Sequence, residues 1–224
     1  MTTVMTYAKM ADEAYAATPT VSGWTTVMDH LEPSSGLRSV VFHRGGVFVV
    51  SFRGTDNLSD VVEDAQLTLG MNTAMYPVGE AIAAAAGQHG GVILTGHSLG
   101  GAVAQVVGNR AQLPFVTFNA PGVALIASRN IATANPVMAA LRWTGSVSSA
   151  LARPRQTARD MQAAFNVVHG KNYRLFNDVV SSSGVHYGDV ITLPTPTTNP
   201  LDAHRITTVI AVLAIVAAGG LSFP

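Results

Sequence analysis

Val92-Ile-Leu-Thr-Gly-His-Ser-Leu-Gly-Gly101 is the stretch whose reading decides the fold. Val92–Thr95 is a short apolar run of the kind found in a strand buried on both faces. Ala102 to Arg110 reads as helix. Between them, Gly96-His-Ser98-Leu-Gly100 is a Gly-x-Ser-x-Gly sequence in the strand-to-helix position that a nucleophile elbow requires. On so sharp and strained a turn flanking side chains would clash unless the positions two before and two after the serine, Gly96 and Gly100, are glycine. The helix behind the serine favours negative charge at its N-terminus. A bare match is weak because glycine is common here; the strand before it and the helix after it make it strong.

Outward from this stretch, residues 78–89 look helical from their alanine content, and Pro114–Phe118 reads as another buried strand. Alternating short strands and helices imply βαβ units and a mainly parallel sheet. Upstream, Arg38–Arg44 and Val47–Arg53 flank Gly45-Gly46 and read as a hairpin. Tyr7, Met10, Ala11, Ala14 and Tyr15 recur at helical spacing. Downstream, Asn119–Gly122 is a turn, and about fifty residues with helical patterns precede the strand Tyr173–Phe176. Val190–Leu193 is the last strand, and Val209–Ala218 reads as a buried terminal helix, too short to span a bilayer. The expected architecture is one α/β domain over 1–224, its sheet covered by helices on both faces, with a helical insertion at 123–172.

A serine nucleophile needs a base, and the base needs an orienting acid. In hydrolases of this topology the order is Ser, Asp or Glu, His. Asp178 follows the Tyr173–Phe176 strand, at the edge where catalytic loops gather in open sheets. Asp160 and Asp189 read as structural. His204, after the last strand, is preferred as base by topology order, and His186, eight residues after Asp178, stays open as the alternative. His97 points away from its neighbour Ser98 and serves to pack or hydrogen-bond the elbow. His30, His43, His89 and His169 read as surface or loop residues. One oxyanion donor is the backbone N–H of Leu99; the second is assigned to Thr55, at the end of Ser51-Phe-Arg-Gly-Thr55.

Ser51-Phe-Arg-Gly-Thr55, Gly96-His-Ser-Leu-Gly-Gly101, Thr117-Phe-Asn-Ala-Pro-Gly122 and the Asn177-Asp178 turn together resemble the class 3 lipases, an α/β-hydrolase family. The resemblance runs from about residue 5 to 210 and is poorest over 123–170. It implies an α/β-hydrolase fold and activity on triacylglycerols or phospholipids through an acyl-enzyme. Ser98 would be the nucleophile, Asp178 the acid, His204 the base, and Thr55 with Leu99 the oxyanion donors. It also implies a lid over 56–70, where Asp60 and Asp64 match the family's acids but Val61 replaces its tryptophan. Asp60, Glu63 and Asp64 read as a helix N-terminus rather than a calcium site. No cofactor or metal is called for.

Composition narrows the function classes. Only 12% of the 224 residues are charged, 48% are hydrophobic and the formal net charge is zero. Disorder and nucleic-acid binding are disfavoured, and zero cysteines exclude a disulfide scaffold or a thiol nucleophile. The charge is uneven: residues 123–174 carry seven basic side chains against Asp160 alone. That block suggests attraction to anionic lipid headgroups and transient contact with a membrane or lipid interface, and favours phospholipid over triacylglycerol. A soluble short-chain carboxylesterase or thioesterase is one alternative. A membrane-damaging secreted effector, opposed by an inhibitor or immunity protein, is another, and a non-catalytic lipid-binding module a third. Met1–Ala17 lacks a signal-peptide pattern, which leaves a cytoplasmic location or export by a signal-independent route.

Overall fold

The computed structural model of the chain describes residues 2–55, 74–124 and 169–219. In chain order the elements are α1 (Val4–Glu13), β1 (Thr25–Leu31), β2 (Arg38–Arg44), β3 (Val47–Phe52), α2 (Met75–Gly87), β4 (Gly91–His97), α3 (Leu99–Ala111), β5 (Phe115–Phe118), β6 (Gly170–Leu175), β7 (Asp189–Leu193), α4 (Pro200–His204) and α5 (Ile206–Ala218). The seven strands lie side by side in sequence order. β1, β2 and β3 pair antiparallel, and β3 to β7 are all parallel.

That order explains which helix covers which face. Successive right-handed crossovers marching in one direction place their helices on the same side of a sheet, and α2 and α3 pack there against β3 and β4. The other side is left for helices from outside the crossovers, and α1 and α5 fill it, packing on each other. Side chains follow the two-residue strand period. Val40, Phe42 and Val49 face α1 and α5, whereas Val41, Val50 and Phe52 face α2 and α3. A sheet covered twice needs few charged residues, which accounts for the 12%.

Three elements differ from expectation. β1 is not evident in the sequence because it is an edge strand with most residues exposed. It is held by pairing to β2 and by Arg38, whose Nε and Nη2 bond both Asp29 oxygens at 2.8 and 2.7 Å and hold that carboxyl below its ordinary pKa. α5 is apolar all round yet covered on one side only: Ile206, Val209, Val212 and Leu213 are buried, but Ile215 is 68% exposed. The expected loop before it contains α4, started by Asn199, whose side chain accepts from the Leu201 N–H, and by Pro200 at the first helical position. No helix among the described residues is long and apolar enough to cross a membrane. The expected lid at 56–70, with Asp60, Glu63 and Asp64, lies outside the described residues, as does the insertion between 125 and 168.

Candidate active site

The carboxyl ends of β3 to β7 share one edge of the sheet, and the candidate residues gather there. β4 runs two residues further than its apolar stretch, so Gly96 and His97 are strand and Ser98 is the turn itself. Ser98 has φ 54 and ψ −129, a left-handed conformation costing about 1–3 kcal/mol for a residue with a Cβ. The packing of its neighbours holds it there. A Cβ on Gly100 would lie 2.0 Å from the Phe52 carbonyl oxygen, and one on Gly96 would lie 2.5 Å from the Gly100 carbonyl carbon. Both glycines permit α3 to press against β3 and β4. The Ser98 N–H donates to the Phe118 carbonyl at 3.1 Å, fixing the turn to β5.

His204, the last residue of α4, meets this serine. Ser98 Oγ donates to His204 Nε2 at 2.9 Å, and His204 Nδ1–H donates to Asp178 Oδ1 at 2.9 Å. All three side chains are almost wholly buried. The Asp178 carboxylate also accepts the N–H groups of Val180 and Ser181, each at 3.2 Å, so both of its oxygens are held. His186 lies elsewhere: its Nε2 bonds the Ala120 carbonyl at 2.8 Å, and burial lowers its pKa. Leu99 is the first residue of α3, where helix N–H groups have no acceptor within the helix. Thr55 is exposed beside Gly54, at the end of β3. Among the described residues there is no cluster of side chains suited to a metal ion.

What holds His204 is not legible in the sequence. Its carbonyl accepts two side-chain donors, His97 Nε2–H at 2.6 Å and Asn119 Nδ2 at 3.1 Å. Asn119 also donates to the Ala203 carbonyl at 2.8 Å and accepts the Leu175 N–H at 3.0 Å, clamping α4 to the end of β6. It adopts φ 45, a conformation asparagine tolerates better than most residues. His97 belongs to a longer chain. The Gly54 N–H donates to the Tyr15 hydroxyl oxygen, and that hydroxyl donates to His97 Nδ1, each at 3.1 Å. With Nε2 donating and Nδ1 accepting, the imidazole is neutral, and burial together with the adjacent His204 lowers its pKa to about 3. Tyr15 and His97 thus tie the Gly54–Thr55 loop to the backbone of His204.

A family model described as Phospholipase-like, Tle-like phospholipase domain, matches residues 6–146. Among solved structures, a mutant form of MDLA from Penicillium cyclopium is similar at 14% identity and a TM-score of 0.51, over 88% of this chain and 78% of its own. A triacylglycerol lipase from Penicillium expansum is similar at 15% identity and a TM-score of 0.50, over 86% and 79%. So is a triacylglycerol lipase described as having a serine protease triad for its catalytic centre, at 14% identity and a TM-score of 0.52, over 88% and 80%. At such identities the likeness concerns the fold, which is that of α/β-hydrolase lipases. No curated protein matches the chain in sequence.

Proposed function

The chain belongs to the Tle-like phospholipase domain family, a lipid ester hydrolase of the serine type, and we infer that it is a phospholipase of the A type working through Ser98, His204 and Asp178. His204 Nε2 takes the Ser98 proton as Oγ attacks the ester carbonyl, and Asp178 holds the imidazole in the tautomer that accepts it. The Leu99 N–H and Thr55 stabilise the tetrahedral oxyanion. The protonated His204 then passes its proton to the departing lysophospholipid alkoxide, and a water activated by the same base releases the fatty acid. Burial of the three side chains favours this charge separation, because fixed dipoles act more strongly where water is excluded.

The single observation that carries this reading is the continuous path Ser98 Oγ, His204, Asp178, with both bonds at 2.9 Å. Lipid rather than soluble ester is favoured by apolar side chains beside the triad members. Phe176 is 77% exposed and Val179 42% exposed on the turn carrying Asp178, and Leu201 is 43% exposed on α4. Segment 56–70, which follows Thr55 directly, remains the proposed lid on the strength of the family resemblance alone. The test is hydrolysis of phospholipid, triacylglycerol and short soluble esters with mass analysis of the products. Ser98→Ala and His204→Ala each lower turnover by about 10⁴-fold or more, whereas His186→Ala stays within a few fold. Loss of activity in His186→Ala with His204→Ala active overturns the base assignment. Wild-type activity confined to short soluble esters makes the protein a carboxylesterase.

A further inference from the structure

Beside the triad lies a cavity whose two charged residues, Asp12 and Arg205, have no part in ester cleavage. Its volume is about 200 Å³, and it is lined by Asp12, Tyr15, Thr55, His97, Arg205, Ile206 and Thr207. It is smaller than the roughly 300–1,000 Å³ of pockets for drug-sized ligands, so it suits a compact polar group better than an acyl chain. Its position is informative. Thr55 is the proposed oxyanion donor, His97 precedes Ser98, and Arg205 and Ile206 follow His204. The His97 ring lies 4.9 Å from that of His204, so a group held here sits beside the candidate reacting centre.

The cavity carries one charge of each sign, and the two are not spent on each other. Asp12 comes from α1 and Arg205 from the joint between α4 and α5. Arg205 Nε bonds Asp202 Oδ1 at 3.3 Å, and its other donors have no partner among the described residues. The Asp12 carboxylate likewise has none, and burial with the adjacent Glu13 raises its pKa. A partly buried carboxylate is costly to leave without a donor. Tyr15, Thr55 and Thr207 add polar residues to the lining.

We propose that this cavity is a headgroup subsite for a phosphate ester bearing a primary ammonium, with Arg205 taking the phosphate and Asp12 the ammonium. The proposal rests on the phospholipase reading and names the lipid it would prefer: phosphatidylethanolamine. Other headgroups fit the charges less well. An anionic glycerol headgroup meets Arg205 but offers Asp12 no cation. A choline headgroup has no N–H to donate to a carboxylate, and sites for quaternary ammonium use aromatic cages, whereas among the described residues Tyr15 alone supplies a phenol or indole to this cavity. A triacylglycerol leaves both charges unanswered. The basic 123–174 segment, by contrast, points to anionic lipid, so the two features make opposite demands on headgroup preference.

Mixed micelles of phosphatidylethanolamine, phosphatidylcholine and phosphatidylglycerol with identical acyl chains separate these demands. Each rate is expressed relative to a short soluble ester on the same preparation, which corrects for any loss of folded protein. Wild type prefers the ethanolamine lipid. Asp12→Asn lowers its kcat/KM relative to the glycerol lipid by about tenfold, equivalent to one charge-assisted hydrogen bond. Arg205→Gln lowers all three phospholipids about tenfold against the soluble ester, and Arg205→Lys restores part of the loss. A wild type that prefers the glycerol lipid, or an unchanged ethanolamine-to-glycerol ratio in Asp12→Asn, overturns the subsite. A site for free phosphoethanolamine gives that unchanged ratio together with an effect of the soluble compound on ester hydrolysis, and overturns the lipid assignment. A wild type that cleaves soluble ester and no phospholipid overturns the phospholipase reading itself.

Discussion

Ser98 and His204, the proposed nucleophile and base, bond at 2.9 Å but are held in place by different means. Ser98 is positioned by backbone. Glycines at 96 and 100 permit α3 to close on β3 and β4, and the Ser98 N–H is pinned to β5. His204 ends a five-residue helix, too short to hold itself. Its position depends on side chains that come from far away in the chain, Asn119 at the end of β5 and His97 at the end of β4. The elbow is thus close packed and intolerant, whereas the base is suspended on a few hydrogen bonds that can be removed one at a time.

Substitutions at the two places should differ in kind. Gly100→Ala sets a Cβ at 2.0 Å from the Phe52 carbonyl oxygen, a backbone atom with no room to move. We expect a loss above about 4 kcal/mol and a chain that does not reach its native state, read by circular dichroism melting. Asn119→Ala leaves the strands intact but releases the Ala203 carbonyl and the Leu175 N–H, and takes one of two donors from the His204 carbonyl, which keeps His97. The expected cost is about 2–3 kcal/mol in stability, from buried groups left without partners. Turnover should fall about 10–100-fold in kcat with KM little changed, because a displaced base harms the reaction more than binding. A native-like melt for Gly100→Ala, or unchanged kcat for Asn119→Ala, would abolish the distinction.

The same distinction governs what could be read from the sequence. The elbow is local: the spacing of Gly96, Ser98 and Gly100 between a strand and a helix is visible within ten residues. Asp178 and His204 are legible because chain order in this topology limits the choice. The structure brings both to Ser98 and leaves His186 on the Ala120 carbonyl. Asn119 could only be read as a turn residue, since its clamp reaches Ala203 and His204 more than 80 positions away. Tyr15 looked like another apolar position of α1, and nothing nearby in sequence announces that its hydroxyl joins Gly54 to His97. β1 escaped for the opposite reason: its partner strand, more than its own pattern, makes it a strand. The usable hint at His97 was its place next to the nucleophile, which suggested the elbow but not the carbonyl of the base.

His97 allows the suspended half to be tested by pH. Its pKa is about 3 in the folded chain, against about 6.5 when exposed. Below about pH 6.5 the unfolded chain takes up a proton that the native chain refuses, so acid draws the equilibrium toward unfolding. The stability lost in this way grows as pH falls and stops growing near pH 3, with a slope of at most about 1.4 kcal/mol per pH unit. His186, with its pKa also lowered, adds to the slope in the same direction, so the comparison must be between variants. In denaturant titrations from pH 7 to 4, His97→Asn should be less stable than wild type at pH 7 through loss of the bond to the His204 carbonyl. That deficit should narrow as the pH is lowered, because asparagine has no proton to refuse. Protonation of His97 would turn Nδ1 from acceptor to donor and break its bond from Tyr15, which is why a neutral imidazole suits this position. A deficit that stays constant with pH would mean that His97 titrates alike in both states and is not the buried neutral brace of the base.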